Sequence, residues 1–119
     1  MSEFQKLEVW QKSMLMVKDA YEIIRLLPNE ERFCLGSQMR NCAVSVPSNI
    51  AEGQARKSTK EFLHHLSFAI GSAAELETQL LLCEMLGYVT KNNIENILGE
   101  IHVIDTMLNR LINALKKNI

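Results

Sequence analysis

Glu61 and His64 stand three residues apart, the Glu-x-x-His unit with which bundle helices ligate paired iron ions. Such a centre takes two of these units and one further Glu from each of two other helices. Only one is present, because Glu100 and His102 have the wrong spacing. No metal or other cofactor is expected. Cys34, Cys42 and Cys83 form no C-x-x-C pair, and each falls in an apolar helical stripe, where a thiol is inert packing rather than an activated nucleophile. Glycine-rich phosphate loops, Walker motifs and the G-x-S-x-G elbow are all missing. The sequence therefore offers no catalytic residue, and a non-enzymatic protein is expected.

Binding chemistry is better represented. Arg56-Lys57-x-x-Lys60-x-x-x-His64-His65 places three basic residues against one acid between Gln54 and His65, and Arg40 lies one segment earlier. Cations at a helix start oppose its dipole, so local stability does not account for them. Arg40, Arg56, Lys57, Lys60, His64 and His65 are therefore candidates for contact with the phosphates of a nucleic acid, with no interleaved aromatic residues to stack on bases. A solvated loop is the plainer reading of the same run. Among the acids Glu52, Glu75 and Glu77, Glu75 follows a stretch of small residues and flanks an apolar seam. It is expected to turn inward toward Asn49, Ser45 or Arg40, in a polar network between two helices or at a ligand, since an inward acid needs a partner.

Four segments with alternating three- and four-residue apolar spacing must position these groups. Leu7, Trp10, Met14, Val17, Tyr21 and Ile24 predict helix one over about 6–27, stopped by Pro28. Leu35, Met39, Cys42, Val46, Ile50 and Gly53 predict helix two, with Gly53 as a left-handed C-terminal residue. Pro47 should kink that helix, with Ser45, Ser48 and Asn49 satisfying the freed backbone. Ser58 and Glu61 form a capping box for helix three, whose seam runs Phe62, Leu66, Ala69, Ala73, Leu76, Leu80 and Cys83 until Gly87. Thr90 caps helix four, with Ile94, Ile97, Ile101, Ile104, Leu108, Leu111 and Leu115 in register. Gly71 and Ser72, among alanines in mid-helix, suggest close approach by helix two. Short connections make neighbours antiparallel, so the fold expected is all-α: an up-and-down antiparallel four-helix bundle. Leu63, Ile70, Leu81, Leu98, Met107 and Ile112 widen the stripes of helices three and four, implying either a broad core or a partner.

Composition agrees with one domain over residues 1–119, since 47% of the chain is hydrophobic and 23% charged. Thirteen Lys and Arg against fourteen Asp and Glu give a net charge of −1, unlike a dedicated nucleic-acid binder, so any such contact must be a local patch. The odd cysteine count fits reduced thiols. With no signal-like N-terminus and no apolar run of about 18 residues, a cytoplasmic location away from membranes is expected.

Ser45-Val46-Pro47-Ser48-Asn49-Ile50-Ala51-Glu52-Gly53, with Ser58-x-Lys60-Glu61-Phe62-Leu63 and Gly71-Ser72-Ala73-Ala74-Glu75-Leu76-Glu77, resembles the bacterial four-helix-bundle proteins encoded by intervening sequences in 23S ribosomal RNA genes. The likeness runs from Leu7-Glu8-Val9-Trp10-Gln11-Lys12 through Leu86-Gly87-Tyr88 into the last helix. It implies a small all-α protein that assembles with copies of itself into a ring, pentameric in members of the group. A related branch serves diversity-generating retroelements, which implies RNA, a ribonucleoprotein or a reverse transcriptase as a partner. A protein–protein scaffold without nucleic-acid contact is the alternative.

Overall fold

The computed structural model describes residues 1–119 and contains helices and turns only. Helices α1 (Glu8–Ile24), α2 (Leu35–Ala55), α3 (Thr59–Met85) and α4 (Lys91–Lys116) follow one another, with short 3-10 turns at Glu3–Lys6 and Asn29–Glu31. Each helix packs on its sequence neighbour, and α4 closes against α1 to complete a four-helix bundle of 46 × 23 × 22 Å. Local chemistry sets the ends. Ser58 accepts the Glu61 backbone N–H at 3.1 Å, although the Glu61 side chain makes no return bond. Thr90 and Asn93 form the reciprocal capping box at α4. Gly87, at φ +79°, ends α3 as its sequence position predicts.

The seams of α3 and α4 are buried as read, from Leu66 to Cys83 and from Ile94 to Leu108, while Phe62, Leu111 and Leu115 are half-buried. Helix α1 differs. It is shorter than predicted at both ends, and its buried face is Val9, Ser13, Met16, Ala20, Ile23 and Ile24; of the predicted stripe, Leu7, Trp10 and Val17 are half-buried against the core while Met14 and Tyr21 are exposed. Two overlapping stripes share this helix, and the one with a serine wins. The Ser13 hydroxyl donates to the Trp10 carbonyl at 2.8 Å and so enters the core already satisfied.

Two glycine readings are also corrected. Gly53 does not end α2 in a left-handed conformation, because the helix continues to Ala55. A Cβ added there would lie 2.7 Å from the His65 Cβ and 3.0 Å from the Phe62 ring, so α3 approaches closely at Gly53. Gly71 is exposed and a Cβ there would meet nothing within 4 Å. Helix α2 continues through the buried Pro47. The Asn49 amide serves the Ser45 carbonyl at 2.9 Å rather than the Ala43 carbonyl that Pro47 deprives of a donor, and Ser48 is exposed. Of the residues read as widening the stripes, Ile70, Leu98, Met107 and Ile112 pack on the chain's own core, Leu63 is half-buried and only Leu81 is exposed. The apolar side chains left in water include Met14, Leu15, Phe68, Leu82, Met85 and Leu86.

Across the α1–α4 contact, burial and the neighbouring Asp19 carboxylate push the Glu100 carboxyl up to about 7, against an ordinary value of 4.5, while Lys12 acts in the opposite sense. Between those two values the folded chain keeps a proton that the unfolded chain loses. Stability therefore falls as pH rises through that window, and above it the ionised Glu100 is a cost. Glu100→Gln is expected to raise stability by about 1 kcal/mol at pH 8, solvent screening keeping the gain that small. Thermal melts at pH 8 and pH 4 check this, since the gain should vanish at the acid value.

Candidate nucleic-acid interface

Ser45, Asn49 and Glu52 recur on one face of α2, and His65 and Ser72 answer them seven residues apart on α3. They form a continuous polar line. The Ser45 and Ser72 hydroxyls are 2.8 Å apart, and the Asn49 Nδ2 donates to both the Ser45 carbonyl and its Oγ at 2.9 Å. A carbonyl only accepts, so this fixes the Asn49 amide with Oδ1 toward His65 Nδ1 at 3.1 Å. His65 Nδ1 must then carry a proton and donate. That leaves Nε2 facing Glu52 Oε1 at 4.0 Å, and the same carboxylate oxygen accepts from Arg56 Nη2 at 2.7 Å. The Arg56 hydrogen bond, followed by the charge of His65, holds the Glu52 carboxyl below its ordinary range.

Beyond this line the bundle end turns basic. Arg56 caps the end of α2, Lys57 lies in the connection, and Lys60 and His64 follow on the first turns of α3. Arg56, Lys60, Glu61, Leu63, His64 and His65 line a concavity of about 620 Å³. Arg56 is neutralised by Glu52, whereas Lys57 and Lys60 form no ion pair. The exposed His64 ring meets Phe68 edge-on at 4.7 Å, and Phe68 is 52% exposed. This aromatic pair is an i, i+4 neighbour relation that a search for interleaved aromatics overlooks.

The structure splits the predicted basic set. Arg40 lies 16 residues before Arg56 on the same helix, roughly 24 Å away by helical rise, with its Nη2 donating to the Arg32 carbonyl at 3.0 Å. His65, half-buried and bonded to Asn49, belongs to the polar line as well as to the concavity wall. Glu75 does not turn inward. It is exposed, as is Glu77, and accepts from the Cys42 thiol at 3.4 Å. Burial raises the Cys42 and Cys83 thiols above their ordinary range, which suits packing rather than nucleophilic chemistry. No three His, Cys, Asp or Glu side chains come together as a metal cage would need, and no helix is long and apolar enough to cross a membrane.

Comparison with known proteins gives no match among curated sequences. Among solved structures, a protein of unknown function from the S23 ribosomal protein family of Bacteroides thetaiotaomicron VPI-5482 superposes with a TM-score of 0.81 at 27% identity, covering 87% of this chain and 97% of that one. A family model matches residues 5–110, a span that includes all of α1, α2 and α3 and the polar line between the last two, and so this chain belongs to the 23S rRNA-intervening sequence protein family.

Proposed function

We propose that this protein is a non-enzymatic module of the bacterial cytoplasm that assembles with copies of itself, as a pentameric ring, and holds RNA or a ribonucleoprotein against the end of the bundle where α2 meets α3. One observation carries the reading. On a chain of net charge −1, Lys57 and Lys60, three residues apart, form no ion pair, and Lys60 lines the concavity that Arg56 and His64 complete. Cations without an ion-pair partner are suited to phosphates, and Phe68 next to His64 offers a face on which a base could stack. Self-assembly is supported by the exposed Met14, Leu15, Leu81 and Leu82, each worth about 1.5–3 kcal/mol when fully buried.

A single-stranded RNA titrated at increasing salt tests this. Three phosphate contacts on a single strand predict an affinity falling roughly 20-fold between about 50 and 200 mM salt. Lys57→Glu with Lys60→Glu should remove most of that slope. A flat salt response, or no binding at micromolar protein, would overturn the RNA role, and light scattering that finds a lone chain would overturn the ring. The scaffold reading is favoured by one feature, the exposed Phe33, Met85 and Leu86 at the opposite end, and it predicts partner capture untouched by the charge reversals.

A further inference from the structure

We infer that the end of the bundle where α1 passes into α2 holds a phosphate-binding site built by Arg25, Arg32 and Arg40. The three arginines, with Tyr21 and Asn29, line one concavity of about 390 Å³, and none of them forms an ion pair. Their positions are not explained by helix stability. Arg25 at the C-terminal cap of α1 suits the dipole there, but neither Arg32, ahead of the first residue of α2, nor Arg40, in its second turn, gains from it. Of the acids nearby, Glu31 is engaged by the Tyr88 hydroxyl at 2.7 Å, and Glu22 and Glu30 form no ion pair with any of the three arginines.

One arginine is also seated in advance. Arg40 is half-buried and held by the Arg32 carbonyl at 3.0 Å. Its guanidinium passes beside Gly36, where an added Cβ would stand 3.5 Å from Nη1 and 3.2 Å from the Glu31 carbonyl. A planar fork whose orientation is fixed before binding is the donor arrangement that matches two oxygens of a phosphate, and two further guanidinium groups on the same wall supply charge and additional donors. Tyr21 and Asn29 add a hydroxyl and an amide to the lining. The ligand class that answers this chemistry is a phosphate group, free or carried by a small ester such as a nucleotide. The inference does not rest on the RNA reading, whose residues lie at the other end of α2.

Inorganic phosphate and adenosine 5′-monophosphate, each titrated into the full chain at low salt, test it through the arginine Nε–H resonances and the backbone amides of residues 25–40. Saturable shifts with a Kd near or below about 1 mM are expected. Arg25→Ala with Arg32→Ala removes two exposed side chains while keeping the carbonyl that seats Arg40, and should weaken binding at least about tenfold. Arg40→Lys, which keeps the charge and loses the fork, should weaken it as well, separating a built site from general attraction. Tighter binding of the nucleotide than of phosphate supports the site with a nucleotide as its ligand, and equal affinities support it with the phosphate group alone. Shifts that stay linear to about 10 mM, or affinities unchanged in the folded double variant, would overturn it.

Discussion

Gly53→Val is expected to destabilise the protein by about 3 kcal/mol and to lower its melting temperature by roughly 10 °C. The added atoms would enter a close approach of α2 to α3, where a Cβ alone stands 2.7 Å from the His65 Cβ and 3.3 Å from the Phe62 carbonyl oxygen. Neither neighbour is the loose end of a long side chain, so relief requires the helices to part. Parting them would disturb the close-packed core to which the buried Ala43, Ala69 and Ala73 belong. The control is Gly71→Ala, also in mid-helix, where open space surrounds the new methyl. It should stabilise by about 0.5–1 kcal/mol through helix propensity and lost unfolded-state freedom. Opposite signs at two glycines of the same helix pair, read by chemical denaturation, would assign the effect to packing. If Gly53→Val proved as benign as Gly71→Ala, the close approach would be disproved.

The contrast shows what a single sequence carries. Where one stripe is both bulky and continuous, as from Ile94 to Leu108, spacing alone places the core, because no competing face can bury as much apolar surface. In α1 two stripes compete, and a choice by bulk selects Met14 and Tyr21 over Ser13 and Ala20. The structure reverses it, because a serine bonded to its own helix costs little to bury while small residues admit a neighbour. Gly53 and Gly71 are alike on the page, and only the other helix distinguishes them. The candidate site follows the same rule. Arg56, Lys60 and His64 are close in sequence and come together, whereas Arg40 meets Arg25 and Arg32 across the turn after Pro28, a proximity set by how α2 folds back on α1 rather than by spacing. Glu75 flanks a buried leucine, yet at that register it sits at the exposed rim of the interface, reaching only the Cys42 thiol, and the polar line is completed by His65 and Ser72.

Asn49→Ala is expected to cost about 2–3 kcal/mol, more than any other single truncation along that line. Asn49 makes the most hydrogen bonds of the line, giving to the Ser45 carbonyl and hydroxyl at 2.9 Å and receiving from His65 at 3.1 Å. A typical hydrogen bond contributes about 0.5–1.5 kcal/mol net, and a half-buried donor left without a partner adds its desolvation. Ser72→Ala, which removes one hydroxyl pairing and leaves Asn49 on Ser45, should cost only about 1 kcal/mol. Asn49→Asp is the sharper probe. It keeps an acceptor for His65 but sets a carboxylate oxygen where an N–H met the Ser45 carbonyl, so at neutral pH it should recover little of the loss. A double-mutant cycle between Asn49→Ala and His65→Ala should return a coupling of about 1 kcal/mol. Zero coupling, with both single variants near wild-type stability, would mean that the apolar layer alone fixes how α2 lies on α3. The line would then be free to serve the basic end that begins at Glu52 and Arg56, where its last ion pair already stands in the open.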